Sequence, residues 1–209
     1  MREIKTFTNE ELETNAQKVR EHKKYGIENF LIDGALKQHP ENKDLSIVAM
    51  KIALIDLTNS TNLSKLLGRE DGLYKLAEKI IEVDFDERVK NGDLSLVEEL
   101  SRWTKENIGK NLFSFISKYC LYHNLHCHNR DDYVIYDSVV GINLYDYISD
   151  EDYYKLSGRK LTKRSIAKLR NEYNYELFSK IADYILKENN ITVDNAHRKL
   201  DWYIWYKNK

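Results

Sequence analysis

The sequence predicts an all-α protein, and three observations carry that expectation. One proline and eight glycines among 209 residues leave few helix breakers. Apolar residues recur at helical rather than alternating spacing in most of the longer segments. With 42% hydrophobic and 32% charged residues, the chain has material for a core and a solvated surface, and no run approaches the roughly 20 apolar residues of a bilayer span. The first helix is expected from Thr8: Thr8-Asn9-Glu10-Glu11 reads as a capping box, and the helix runs toward Lys24 and stops near Gly26. A second, over 27–37, ends before His39-Pro40. Residues 44–57 are apolar nearly all round, the pattern of a buried central helix, and end in a polar turn over 58–62. Further helices are expected at 72–83, 94–106 and 111–123, followed by a loop over 124–136. Asp137 stands at an N-cap position ahead of Val139, Val140, Ile142, Leu144 and Ile148. The last two helices fall at 175–187 and 195–207. No repeat or linker divides the chain, so residues 1–209 are read as one domain, two lobes around the central helix.

Composition narrows the function classes. The N-terminus lacks the apolar block of a signal peptide. Two cysteines, Cys120 and Cys127, are too few for a disulfide framework and fit a reducing cytosol, so a cytoplasmic, non-membrane protein is expected. The net charge of −1 conceals a basic segment over 155–170: Lys155, Arg159, Lys160, Lys163, Arg164, Lys168 and Arg170, with no acidic residue. If helical, Arg159/Lys163, Lys160/Arg164 and Arg164/Lys168 are like-charge pairs that a phosphate backbone would relieve. The alternative is a solvated face compensated by Asp150, Glu151 and Asp152.

Two groupings could carry chemistry. Lys118 lies among apolar and aromatic neighbours, where desolvation favours the neutral, nucleophilic amine. Asp137, at a helix start, could then stabilise a developing cation. The competing reading is a lysine snorkelling from a core helix and an aspartate that only caps the next. Cys120, His123, His126, Cys127 and His128 are zinc-competent residue types, but no second well-spaced pair completes a site, and no metal is expected.

Ser114-Phe115-Ile116-Ser117-Lys118, a loop, then Val134-Ile135-Tyr136-Asp137 resembles the nucleophile lysine and catalytic aspartate of helix-hairpin-helix DNA glycosylases, nearest the 8-oxoguanine glycosylase type. Residues 55–63 resemble the polar turn with which that family fills the gap left by a flipped base. The resemblance covers about 44–148, with 171–209 as C-terminal helices packing on that core. The same stretches also resemble a bacterial family to which no activity attaches. The glycosylase resemblance implies a cofactor-free enzyme that extrudes a base from double-stranded DNA. Lys118 would attack C1′ to give a Schiff base that can proceed to strand cleavage, and Asp137 would support the cationic sugar. Asn59, Ser60, Thr61 and Asn62 would occupy the vacated stack, and Tyr122, Cys120, Trp202 and Trp205 the base pocket. Lys110, Ser114, Arg159, Lys160, Lys163, Arg164 and Lys168 would contact DNA. The chain departs from the family where its hairpin glycines fall, here Ser114 and Ile116, with Asn107-Ile108-Gly109-Lys110 as a displaced alternative. Tyr122 also stands where the guanine-lesion branch has a cysteine. The clustered-iron branch is excluded for want of four cysteines. A different-class reading keeps the architecture as a nucleic-acid-binding or regulatory module without catalysis, and a third is a helical interaction protein.

Overall fold

Apolar periodicity becomes helix along nearly the whole chain in the computed structural model, which describes residues 2–59, 63 and 72–208. Among the described residues there is no strand. The helices are α1 (Asn9–Glu21), α2 (Tyr25–Gln38), α3 (Leu45–Asn59), α4 (Gly72–Glu82), α5 (Phe85–Lys90), α6 (Ser95–Asn107), α7 (Phe113–His128), α8 (Ser138–Asn143), α9 (Asp150–Ser157), α10 (Ser165–Glu172), α11 (Tyr175–Glu188) and α12 (Ala196–Asn208), with a 3-10 turn at Leu144–Tyr147. Thr8 closes its capping box with Glu11 as expected, although α1 stops at Glu21. The buried hydrophobic residues form one cluster reaching from Phe7 to Ile204. No helix among the described residues is long and apolar enough to cross a membrane.

Three expectations about the elements are corrected. The buried centre is α7, in which every residue from 115 to 124 is buried; α3, apolar as it is, leaves Met50 and Leu57 exposed. Helix α7 also runs past 123 to His128, shrinking the expected loop. Its polar side chains read as loop formers, but Asn124 donates to the Val89 carbonyl at 2.9 Å and accepts from the Asp132 amide at 2.9 Å. Those bonds satisfy inside the core what would otherwise stop the helix. Finally, α5, α9 and α10 were absent from the sequence reading, since helices of six to eight residues carry too little periodicity to register. Helix α9 ends at Gly158, whose φ of 66° is the left-handed C-cap conformation.

The extended, buried segment 133–136 has no neighbouring strand among the described residues, and side chains complete its backbone bonds. The Tyr175 hydroxyl accepts from the Val134 amide at 2.8 Å and donates to the Val134 carbonyl at 2.7 Å. The Tyr136 amide donates to Ser117 Oγ at 3.0 Å. Ser117 precedes Lys118 and Tyr136 precedes Asp137, so this one bond fixes the lysine and the aspartate relative to each other. Gly141 lets α8 lie directly against the Tyr136 ring, because a Cβ there would fall 2.8 Å from Cε2. The Tyr136 hydroxyl in turn donates to the Ala167 carbonyl of α10 at 3.0 Å.

Candidate functional site

Asp137 caps α8 through a single oxygen. Oδ1 accepts from the Val139 and Val140 amides at 2.8 and 2.9 Å, leaving Oδ2 with no hydrogen bond among the described residues. Lys118 sits on the buried α7, and its ammonium has neither a hydrogen bond nor a close ion pair among the described residues. Both side chains line one cavity of about 270 Å³, walled by α2, α7, α12 and the start of α8. Lys118 thus directs its ammonium into the cavity rather than to the outer surface, while the capping reading of Asp137 holds and coexists with exposure to the cavity.

The rest of the lining comes chiefly from α12. Trp202 and Trp205 reach the cavity, as does Tyr122 of α7. Between Tyr122 and Trp202 stands Arg198, its guanidinium carbon 4.9 Å from one ring centroid and 4.6 Å from the other. Arg198 Nη1 donates to Asp201 Oδ2 at 2.8 Å, and Nη2 donates to Asn29 Oδ1 at 3.0 Å and to the Tyr122 hydroxyl at 2.9 Å. Arg198 is thus bonded within the wall, while Asp201 keeps Oδ1 without a hydrogen bond among the described residues. Trp205 meets the Tyr25 ring edge-on at 5.0 Å. Lys24 just before α2, Glu28 and Asn29 of α2 and Thr58 of α3 complete the polar lining among the described residues.

Burial dominates the electrostatics. Desolvation pushes the Lys118 ammonium below the ordinary lysine range, opposed by Asp137 and Asp201 and assisted by Arg198. Burial likewise pushes the Asp201 carboxyl up to about 6, against the lowering effect of Arg198. The cavity therefore holds a lysine whose charged form burial disfavours beside a carboxyl that burial raises to about 6. Perturbed groups facing one concave space are the usual marks of a functional site. Chemically the set offers one nucleophilic nitrogen, two open carboxylate oxygens and aromatic walls.

The other expected site residues divide. Cys120 is fully buried and is not part of the cavity wall; burial raises its thiol well above the usual range, which removes it from the base pocket. Ser114 lies in the first turn of α7, and Lys110 is exposed in the preceding turn, where Gly109 takes a φ of 75°. The basic segment is not one helix: residues 158–164 connect α9 to α10, so the expected pairs Arg159/Lys163 and Lys160/Arg164 do not arise within a helix. Lys155 pairs with Glu151 and Asp152, and Arg159 with Glu172. Lys160, Lys163, Arg164 and Lys168 are exposed with no ion pair among the described residues. Ser60, Thr61 and Asn62, and the side chain of Asn59, lie outside the described residues. The zinc-competent side chains of α7 have separate partners: His123 Nδ1 meets the Tyr119 carbonyl, His126 meets Asp33, and Cys127 donates to the Leu36 carbonyl. Among the described residues no three His, Cys, Asp or Glu side chains are grouped to hold a metal ion.

Arg198 and Asp201 were missed from the sequence. The available signal was an oppositely charged i, i+3 pair one turn from two tryptophans, on a helix otherwise expected to pack on the core.

A family model described as HI_0787_N, N-terminal domain, matches residues 11–132, and the chain belongs to that family. The matched span contains Lys118 and Tyr122 and ends before Asp137 and α12. The chain is also similar to an "Uncharacterized protein" of Haemophilus influenzae, 29% identical over 138 residues, which is 66% of this chain. The matched part spans 57% of the length of that curated relative. No solved structure matches at a significant level.

Proposed function

We propose that the protein is a DNA glycosylase, with lyase capacity, that uses Lys118 as nucleophile and Asp137 as the electrostatic partner of the sugar cation. The observation that carries the reading is that a buried lysine, unpaired among the described residues, and a half-committed N-cap aspartate open onto the same aromatic-walled cavity. Its volume of about 270 Å³ lies just under the range of small-molecule pockets, roughly 300–1,000 Å³, which suits one extruded base rather than a longer ligand. The Lys118 nitrogen donates its lone pair to C1′. The bond from C1′ to the base breaks, and its electron pair leaves with the base. Asp137 Oδ2 stabilises positive charge that develops on the sugar in between.

Two surface features support a nucleic-acid partner. Lys160, Lys163, Arg164 and Lys168 surround the start of α10, whose Ala167 carbonyl holds Tyr136 next to Asp137. Arg170 of α10 also exchanges hydrogen bonds with Asn111, at 3.0 and 3.2 Å, which ties the basic face to the turn carrying Gly109 and Lys110. Backbone phosphates would be drawn to such a face.

The test is borohydride trapping on duplex oligonucleotides carrying an abasic site or an oxidised guanine. A covalent adduct lost in Lys118→Gln supports the enzyme. Salt-sensitive binding without an adduct from either duplex would overturn it in favour of a non-catalytic binding module, the reading that the replaced hairpin glycines at Ser114 and Ile116 favour.

A further inference from the structure

Asp201 is a buried carboxyl in the cavity wall that the reaction as described leaves unused. It lies on α12, one helical turn from Arg198, with Oδ2 held by the guanidinium at 2.8 Å and Oδ1 open. Among the described residues the charged groups facing it are Arg198 on its own helix, Lys118 from α7, Asp137 from the start of α8, and, across the cavity, Lys24 just before α2 and Glu28 within it. Helix α1 contributes only the apolar Val19 to this space.

An attacking amine has a proton problem. When the Lys118 nitrogen bonds to C1′ it becomes a secondary ammonium, which must shed a proton before the Schiff base forms. The base that departs with the electron pair of the glycosidic bond needs a proton to leave as a neutral molecule. Two open carboxylate oxygens line the cavity to receive that proton. Asp137 is the poorer candidate, because protonating it weakens the anion that caps α8 through two backbone amides. Asp201 has no such commitment; among the described residues its only hydrogen-bond partner is Arg198, itself anchored by Asn29 and Tyr122.

Resting on the glycosylase reading, we propose that Asp201 is the proton carrier of the reaction, taking a proton from the Lys118 nitrogen after its attack and delivering it to the leaving group. The bonds balance without a further reactant. N–C1′ forms, C1′–base breaks, one proton passes from nitrogen to Asp201 Oδ1, and the same proton passes to the base. On an abasic-site aldehyde the same carrier serves: the nitrogen adds to C1′, its two protons pass in turn through Asp201 to the former carbonyl oxygen, and that oxygen leaves as water as the C1′=N bond forms. The two carboxylates then have distinct duties, Asp137 acting on the sugar charge and Asp201 on the proton. Burial places the Asp201 carboxyl near neutrality, the range in which a carrier can both accept and release.

The experiment is single-turnover borohydride trapping on an abasic-site duplex between pH 5 and 8, with wild type, Asp201→Asn and Asp201→Glu. The wild-type rate is expected to rise through about pH 6 as Asp201 ionises. Asp201→Asn, whose amide oxygen still accepts from Arg198, should bind the duplex with unchanged affinity. It should trap about a hundredfold more slowly and lose that rise, and Asp201→Glu should restore it. An Asp201→Asn protein with wild-type rate and profile would overturn the proposal while leaving the glycosylase reading intact. Should Asp201→Asn fail to fold, Asp201→Glu decides: a retained rise supports the carrier, and its absence overturns it. A wild type that forms no adduct at any pH would remove the glycosylase reading and this inference with it.

Discussion

Among the described residues three lysines are buried; Lys199 is ion-paired with Glu13, and the difference between the other two separates a structural lysine from a candidate nucleophile. Lys51, on α3, is 1% exposed, and Lys118, on α7, is 8% exposed; desolvation lowers the pKa of both. Lys51 spends its protons inside the core. Its Nζ donates to the Glu41 carbonyl at 2.9 Å and to Asn42 Oδ1 at 3.2 Å, and Asn42 is held in turn by Asp86 and by the Tyr119 hydroxyl. Lys118 spends none among the described residues: it has two carboxylates within electrostatic reach, a hydrogen bond to neither, and a cavity in front. Burial and a shifted pKa are thus common to a structural lysine and a candidate nucleophile. The unmade hydrogen bonds, facing a cavity, distinguish them.

The most disruptive way to break this comparison is to remove the cation that organises the cavity. Arg198→Ala strips Asp201 of its partner and leaves a buried, unpaired carboxyl, at an expected cost of about 3–5 kcal/mol in chemical denaturation. Next come the lysines themselves. Lys51→Met leaves the Glu41 carbonyl short of a donor and should destabilise by about 1–3 kcal/mol, with DNA adduct formation retained. Lys118→Met removes an unpaired buried ammonium and should be neutral or up to about 2 kcal/mol stabilising, while chemistry is lost. Opposite signs from two buried lysines in thermal melts would sharpen the contrast, and equal destabilisation would erase it.

The smallest effect concerns pH. The folded-state pKa of Asp201, about 6, lies above the unfolded value of about 3.9. The fold therefore favours the protonated form, and this group's contribution to stability declines as pH rises from about 4 to 6. Asp201→Asn should remove that decline. Denaturation midpoints across this window, wild type against variant, check the sign.

Much of the fold was legible because amphipathic segments of ten or more residues keep their period. The sequence misled where composition and environment part company. Helix α3 is apolar on every side yet leaves Met50 and Leu57 in solvent. Helix α7 carries serine, lysine, histidine and asparagine yet forms the centre, because Tyr136, Val89 and Asp132 satisfy its polar groups from outside the helix. Lys118 and Asp137 could be read from local context, an apolar neighbourhood and a cap position. Arg198 and Asp201 could not, since an i, i+3 ion pair looks the same on a solvated face as in a cavity wall. Only the fold gives the pair its burial: α12 packs on α1 and α8, and Arg198 bonds to Asn29 of α2 and Tyr122 of α7. The basic segment misled through its assumed helix: with residues 158–164 as a connection, its charges divide between local ion pairs and an exposed cluster at α10.

The most direct test of the central claim is to locate the bond. Wild-type protein, incubated with an abasic-site duplex and borohydride, is digested and the cross-linked peptide identified by mass spectrometry. The adduct is expected on the α7 peptide at Lys118, with none on the α3 peptide carrying Lys51. An adduct on another lysine, or no adduct, would contradict the assignment of Lys118 as the nucleophile.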